Sequence, residues 1–592
     1  MKQNVFNLNV ARAHLDRNAF DLSHNDVFSC APGMLLPIST TEVLPNEHFE
    51  INPQIFLRTM PLNSAAFVRM RQHIEFFFVP MRVLCRQFNQ FVVGTNYPIS
   101  AIDSLNSFSG KIPHTSIHFI CQALNKATQA DKNLDGMGSD VKTQAVRLLD
   151  LLGYGITSVD SLKESKLPSS YFVSVFRLAC YQKIYSDYYR NPYYESVDVS
   201  SFNLDDFFDR KISGSLTSSS DRNVLRSLLR LRYRNWAKDY FTAVQPQFEG
   251  APFVTRNVDI NSFGLQVYAN SGITTLLPKT MSAQLGSVND AVVESSASKV
   301  AGLSFDDDGA SLQDLSRLSV PVHNIRAAFA LDKLLRLQQQ AGNGSYGEQI
   351  RNRFGAANVH DDWKAQYLGG SSAPISISEV ITTANTVSDV GDGLTGDIYG
   401  KASSVNDGRI VFDSREHGII MGIFSVSPEA DYNATGIDPH NLKLSFEQFF
   451  QPEFDRLGKQ PLNSFQLSLV KPADFSASAS WSDKVIGYQN RYMEYKTGVD
   501  KVHGAFCTGG SLSAWSAPRN TGLVLNGDVS VGANGSLEYN VYSFKVSPKI
   551  LNSICSVEFS GSSLDTDPII VDAHIGIKAI RPMSVSGEPL LS

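Results

Sequence analysis

Apolar and polar residues alternate most clearly near the two ends of the chain. Residues 49–59 (FEINPQIFLRT) and 72–80 (QHIEFFFVP) predict strands near the start, rich in aromatic and β-branched side chains, with prolines suited to strand ends or edges. Residues 417–426 (HGIIMGIFSV), 537–546 (LEYNVYSFKV) and 568–580 (PIIVDAHIGIKAI) predict strands near the finish, with alternation cleanest in the second. Both ends are therefore expected to feed one sheet system, from which the middle of the chain makes long excursions. One strand breaks the alternation. Phe76, Phe77 and Phe78 put rings on both faces of an extended segment, so both sides need cover, from the same chain or from another copy of it.

Helical periodicity marks 145–153 (AVRLLDLLG, with Gly153 as a stop), 171–192 (ended by Pro192), 222–241 (RNVLRSLLRLRYRNWAKDYF) and 324–342 (Asn324 capping the start, Gly342 the end). Residues 251–320 and 369–409 lack periodicity, are rich in small polar residues and read as long surface loops. Connections beyond ~15 residues without regular structure are uncommon in compact domains and usually functional or disordered. No internal repeat, heptad pattern or low-complexity tract of consequence is present.

A chain of 592 residues would ordinarily split into several domains. Its 19% of charged residues is below the usual ~25%, which suits a surface largely buried against partners. The net charge of -6 argues against a general polyanion binder and leaves nucleic-acid contact only to local patches. Cys30, Cys85, Cys121, Cys180, Cys507 and Cys555 form no CxxC pair, so a zinc site and a dense disulfide framework are disfavoured and a reducing compartment is expected. The N-terminal residues carry no apolar core of signal-peptide length and no run approaches the ~18 apolar residues of a membrane span, so neither secretion by that route nor membrane insertion is expected. The sequons at Asn343, Asn433 and Asn534 then carry no weight.

Candidate chemistry is sparse. GNGSYG at 342–347 has the GxGxxG spacing but follows a helix instead of a strand, so a turn is the better reading than a phosphate cradle. His114 and His118 have a zinc-hydrolase gap, yet Thr115 stands where the general-base Glu belongs. Asp306, Asp307 and Asp308, and Asp389, Asp392 and Asp397, match no EF-hand spacing and read as solvated loops. No GxSxG or recognised cysteine context appears, so enzyme status has no support. The one basic and aromatic concentration holds Arg222, Arg226, Arg230, Arg232, Arg234, Lys238, Tyr233, Trp236 and Tyr240. Arg226, Arg230, Arg232, Arg234 and Trp236 are the candidates for neutralising phosphates and stacking unpaired bases. The competing reading is an amphipathic helix with a solvated cationic face and Leu225, Leu228 and Leu229 in the core.

The blocks FDLSH (20–24), GMLLPISTTEVLPNEHFEIN (33–52), RTMPLNSAAFVRMR (58–71) and FFFVP (76–80), followed in order by YQKIYSDYYRNP (181–192), AKDYFTAVQPQFEG (237–250), NIRAAFALDKLL (324–335), GSYGEQIRNRFG (344–355), EHGIIMGIFSVSPEADY (416–432), GYQNRYMEYKTGVDKVHGAF (487–506) and KAIRPM (578–583), resemble the major capsid proteins of microviruses, in their gokushovirus-like branch. The resemblance implies a mainly β protein, an eight-stranded antiparallel viral jelly-roll β-barrel with long loop and helical insertions. It implies one capsid domain over 1–592, with insertions at about 100–245 (helix-rich), 251–320 (a variable surface loop forming a threefold protrusion and presenting the host-recognition surface) and 324–410 (helix plus loop). It further implies a non-enzymatic structural protein of the virion, without cofactor, assembled in the bacterial host cytoplasm. Its partners would be itself (60 copies in a T=1 icosahedral shell), a circular single-stranded DNA genome, a small basic DNA-binding protein, scaffolding and pilot proteins, and a host-surface receptor. Phe76, Phe77 and Phe78 would then serve core or intersubunit packing. Two departures stand out: PNE at 45–47 occupies the place of an expected Pro-Gly-Asp, and Cys85 that of a Trp. The helical stretch 115–175 also looks longer than in shorter relatives. A carbohydrate-binding or carbohydrate-cleaving jelly roll is the alternative, recognisable by aromatic residues and paired carboxylates at one cleft. A single-strand DNA-binding module is a third option, with affinity falling steeply with salt.

Overall fold

The computed structural model describes residues 17–93, 112–125, 141–162, 171–205, 227–245, 363–381, 398–455, 458–469, 485–519, 544–560 and 566–585, with the short strand pairs 294–295/298–299 and 529–531/537–539. Two compact units are present, residues 1–248 with 360–592, and residues 249–359. The described part of the second unit is the antiparallel pair Glu294–Ser295 and Ser298–Lys299.

Ten strands form the main sheet of the first unit: β1 (Asn18–Asp21), β2 (His24–Cys30), β3 (Leu36–Val43), β4 (His48–Thr59), β5 (Met70–Pro80), β6 (Gln366–Ile381), β7 (Ile398–Asp407), β8 (Ile410–Asp413), β9 (Gly418–Pro428) and β10 (Ile569–Arg581). The hydrogen-bonded path runs β1-β10-β4-β7-β6-β5-β9-β3, with β2 also on β10 and β8 also on β4. Two bends close it into a barrel. The run from β2 to β3 pairs with β10 through its first part and with β9 through its second, turning at residues 31–35. Gly33 makes that corner possible: its φ of 78° is left-handed, and a Cβ there would lie 2.7 Å from the Val546 carbonyl oxygen. The second bend is β6, whose residues 366–375 pair with β5 and 376–381 with β7. Mainly antiparallel strands closed this way are a jelly roll, as the resemblance implies.

The two walls differ in what covers them. On β10, Ile569, Val571, Ala573, Ile575 and Ile577 are buried while Asp572, His574 and Lys578 face solvent, the alternation of a wall wet on one side. The opposite wall is dry on both faces: every described residue of β9 except Ser427 is buried. Inward, Phe78 meets Phe412 with ring centroids 4.9 Å apart. Outward, Phe77 meets Tyr188 (4.8 Å), Tyr189 (5.9 Å) and Tyr367 (5.4 Å). Tyr188 and Tyr189 end a helix, Phe176–Ile184, that continues directly into the π-helical turn Tyr185–Tyr189, closed by the Arg190 amide donating to the Tyr185 carbonyl at 2.9 Å. The three phenylalanines are therefore covered on both faces by the chain itself.

The helix expected at 145–153 is Val141–Leu151, with Gly153 at φ 79° just beyond its end. In the turn at 45–47, where Pro-Gly-Asp was expected, Asn46 adopts the left-handed φ of 64° that Gly would take easily, and the Glu47 carboxylate accepts from the Leu44 amide at 2.8 Å. The loop reading of 369–409 is wrong for its described part, which holds β6 and β7. Its Ser and Gly content reflects a strand with one wet face and a bulge at Gly369 (φ 137°), so the apolar alternation that marks a strand is diluted. The helix at 222–241 is also wrong beyond Leu229. From Arg230 to Trp236 the chain is extended, with bridges Tyr233 to Met34 and Asn235 to Lys545, and a turn follows at 240–242. Its backbone groups are taken by distant partners: the Leu35 amide donates to the Arg232 carbonyl (3.0 Å), the Arg234 amide to the Gly33 carbonyl (2.6 Å) and the Val546 amide to the Arg234 carbonyl (2.9 Å). The helix at 324–342, the GNGSYG turn, Asp306 to Asp308 and Asp389, Asp392 and Asp397 lie outside the described residues.

Candidate nucleic-acid interface and assembly surface

The basic segment lies across the outer face of the dry wall, and its charges are answered from within the chain. Arg232 is 4% exposed; its Nε donates to Gln182 Oε1 (2.7 Å), its guanidinium sits 4.6 Å over the Tyr185 ring, and Glu195 lies 3.7 Å away. Gln182 in turn donates to the Leu228 and Arg230 carbonyls at 3.0 and 2.7 Å, which pins the segment to the helix Phe176–Ile184. Lys545, also buried, donates to Tyr185 Oη (2.7 Å), which donates to Glu195 Oε2 (2.6 Å). Burial, with the Glu195 charge adding, drives the Tyr185 hydroxyl well above its usual pKa, so it stays a donor.

Arg234 forms a second node, donating to Glu75 Oε2 (2.9 Å) and Ser425 Oγ (3.0 Å), while Tyr189 Oη donates to the same Glu75 oxygen. Trp236 is 7% exposed and lies under the Arg519 guanidinium, 5.5 Å from its ring. Of the five residues proposed to touch nucleic acid, Arg232 and Trp236 are thus interior, Arg234 is tied to Glu75, Arg230 is half-buried and Arg226 lies outside the described residues. The free cationic surface read from the sequence is, for Arg232, Arg234 and Trp236, an internal network. What the reading lacked was the counter-charge: Glu75, an acid inside an apolar run, and Glu195 are far away in sequence. Of the expected surface cations only Lys238 is fully exposed among the described residues of this segment.

His114 and His118 do not come together on a metal. His114 lies on the short strand His114–Ser116, where its Nδ1 is 2.7 Å from the Ile112 carbonyl and its ring packs edge-on against Phe172. Among the described residues no group of three or more His, Cys, Asp and Glu is placed to hold a metal ion. No helix among them is long and apolar enough to cross a membrane.

A cleft of about 300 Å³ does bring Asp438 and Glu494 together with Tyr240, Phe241 and Tyr432. Its carboxylates are wrong for glycoside cleavage, which requires an acid kept protonated near neutral pH. The Lys501 ammonium, 2.7 Å from Asp438 Oδ2, holds that carboxyl below its usual pKa. Burial pushes Glu494 upward, but hydrogen bonds from Gln460 and Lys443 outweigh it and leave the net shift downward. Both shifts run opposite to the raised pKa of a general acid.

One loop carries a group of exposed apolar side chains close together in sequence. Leu444 (90% exposed), Phe446 (78%), Phe449 and Phe450 project from the short turns Phe446–Gln448 and Pro452–Phe454. The loop backbone is firmly held. Gln448 Oε1 accepts from the Leu444 and Ser445 amides at 2.5 and 3.1 Å, and Tyr492 Oη accepts from the Gln451 amide at 3.2 Å.

A sequence signature for capsid protein (F protein) matches residues 8–114 and 157–521, well over half of the chain. The chain belongs to the capsid protein (F protein) family. Similarity to individual members runs along nearly the whole length: capsid protein VP1 of Chlamydia phage 1 is 24% identical over 638 aligned positions, covering 98% of this chain and 96% of the relative. Capsid protein VP1 of Bdellovibrio phage phiMH2K is 22% identical over 525 positions, covering 86% of each. The capsid protein's family match is interrupted at 115–156, within the helical stretch that looks longer than in shorter relatives. Its role is that of a major capsid protein, structural and not enzymatic, and the sugar-cleaving alternative is not favoured. An internally satisfied basic network and a built, greasy outer loop fit a molecule whose activity is association.

Proposed function

We propose that this capsid protein assembles as 60 copies into a T=1 icosahedral shell around a circular single-stranded DNA genome. The observation that carries the reading is the capsid-family match running through a closed barrel that still leaves Leu444, Phe446, Phe449 and Phe450 in water. Isolated monomers rarely keep contiguous apolar patches without a use for them. With a net charge of -6 and Arg232 and Arg234 committed internally, the packaging charge comes mainly from a small basic DNA-binding protein of the same phage. Assembly takes place in the bacterial host cytoplasm with a scaffolding protein, and a pilot protein joins the virion. Residues 251–320 form the threefold protrusion and meet the host receptor; they lie outside the described residues, the strand pair at 294–299 excepted. In this reading 1–592 is one capsid domain carrying insertions at about 100–245, 251–320 and 324–410.

The test is expression of the chain with scaffolding protein, followed by light scattering and electron microscopy. Closed particles of uniform size that protect circular single-stranded DNA from nuclease support the reading. A monodisperse monomer under every assembly condition overturns it.

A further inference from the structure

The exposed loop and an apolar groove lie toward opposite ends of one barrel wall. On β5 and β9, Pro80 pairs with Gly418 at one end and Met70 with Pro428 at the other, ten rises or about 33 Å apart. Beyond the Met70 end, Arg69 bridges to Asp431 at 3.1 Å and to Asp500 at 2.5 Å. These ties bring in a satellite core that includes Tyr240, Phe241, Tyr432, Leu462 and Ile486. Tyr492, which follows the strand Val485–Asn490 and whose amide donates to Gln460 Oε1 at 2.9 Å, holds the 444–450 loop through Gln451 and through the Phe450 ring, 5.0 Å away. At the Pro80 end opens a groove of about 540 Å³ lined chiefly by apolar groups, among them Leu44, Met81, Phe88, Val173 and Phe176. Arg177 and His417 also line it, with Glu42 as its acid.

From this we infer that the Leu444–Phe450 loop of one subunit seats its phenylalanines in the Leu44–Phe88–Phe176 groove of a neighbouring copy. The inference rests on the capsid reading, which requires copies to touch, and goes beyond it in saying where. Knob and receptacle are different surfaces at opposite ends of one wall, so the contact is heterologous, the kind that generates rings when its rotation closes. Leu444 and Phe446 are the side chains of the knob left most exposed within their own subunit. Charge permits this occupant: the loop carries exposed Glu447 and no cation from 444 to 450, and the groove supplies the Arg177 guanidinium as its counter-charge, alongside its own Glu42. An acidic, aromatic knob is a poor surface for a phosphate backbone. Because the loop backbone is already hydrogen-bonded, little ordering is needed on docking.

Full-length chain carrying the photo-crosslinking amino acid p-benzoylphenylalanine at position 446 tests this, since an exposed ring is replaced by another ring and folding is preserved. Assembled particles are irradiated and cross-linked peptides mapped by mass spectrometry. Inter-subunit cross-links to 81–92 or 173–177 support the inference, and the charge-reversed variant Arg177→Glu should weaken them several-fold, with Glu447→Arg restoring them. Cross-links to any other surface of a second copy, or none between copies in intact particles, overturn the inference and leave the capsid reading standing. If the unmodified chain forms no particles at all, the capsid reading itself fails.

Discussion

Replacing Phe77 by Ala separates cover by the chain itself from cover by a sister subunit. Phe77 is 1% exposed and touches Tyr188, Tyr189 and Tyr367 of its own chain. Truncating a fully buried Phe costs about 3–5 kcal/mol, because the transfer free energy is lost and a cavity remains under three rings that cannot collapse onto the sheet. With an unfolding entropy of roughly 2.1 cal/mol/K per residue, a chain of this length should lose about 3 °C in Tm. Calorimetry or dye-monitored melting of the unassembled subunit reads this directly. Phe446→Ala is the control: an exposed side chain contributes within about 0.5 kcal/mol, so its melting should be unchanged. If Phe77→Ala melted with the wild type and failed only in assembly, the outer ring would be an interface residue and the account of the dry wall would be wrong.

Removing the acid of the buried pair Arg147–Asp567 (2.6 Å, side chains 6% and 0% exposed) with Asp567→Ala should cost about 3–5 kcal/mol in urea unfolding, since it strands a buried cation; a loss under 1 kcal/mol would contradict this. Burial, with Arg234 adding to it, holds His73 down to about 4, below its ordinary 6.5, so the folded form is neutral where the unfolded chain takes up a proton. Stability should therefore fall as pH drops from 6.5 toward 4, and His73→Gln should flatten that slope in pH-dependent melting; an unchanged slope counts against it. Arg232→Met and Trp236→Ala should lower Tm but leave the salt dependence of single-stranded DNA binding unaltered, and a slope reduced by about one per cation would restore the phosphate-contact reading of Arg232.

Much was legible from residue order alone. Strands β4, β5, β9 and β10 follow from alternation and apolar runs, and the helix at 141–151 from its 3.6-residue period, because those patterns are local and one face of each element must be dry. The family is readable too, since its blocks recur in order along the chain. Tertiary structure alone decided the rest. The segment 230–236 has the apolar spacing of a helix, yet Gly33, Leu35, Phe544 and Val546 take its backbone groups and hold it extended, an outcome no local window can contain. The serines of β6 hide a strand whose pairing is supplied by β5 and β7. Arginines that look free are neutralised by Glu75 and Glu195, acids more than thirty positions away in the chain. Sequence fixes what must leave water, because burial is a property of each side chain. Which partner each charge and each backbone group receives depends on what the folded barrel brings alongside it.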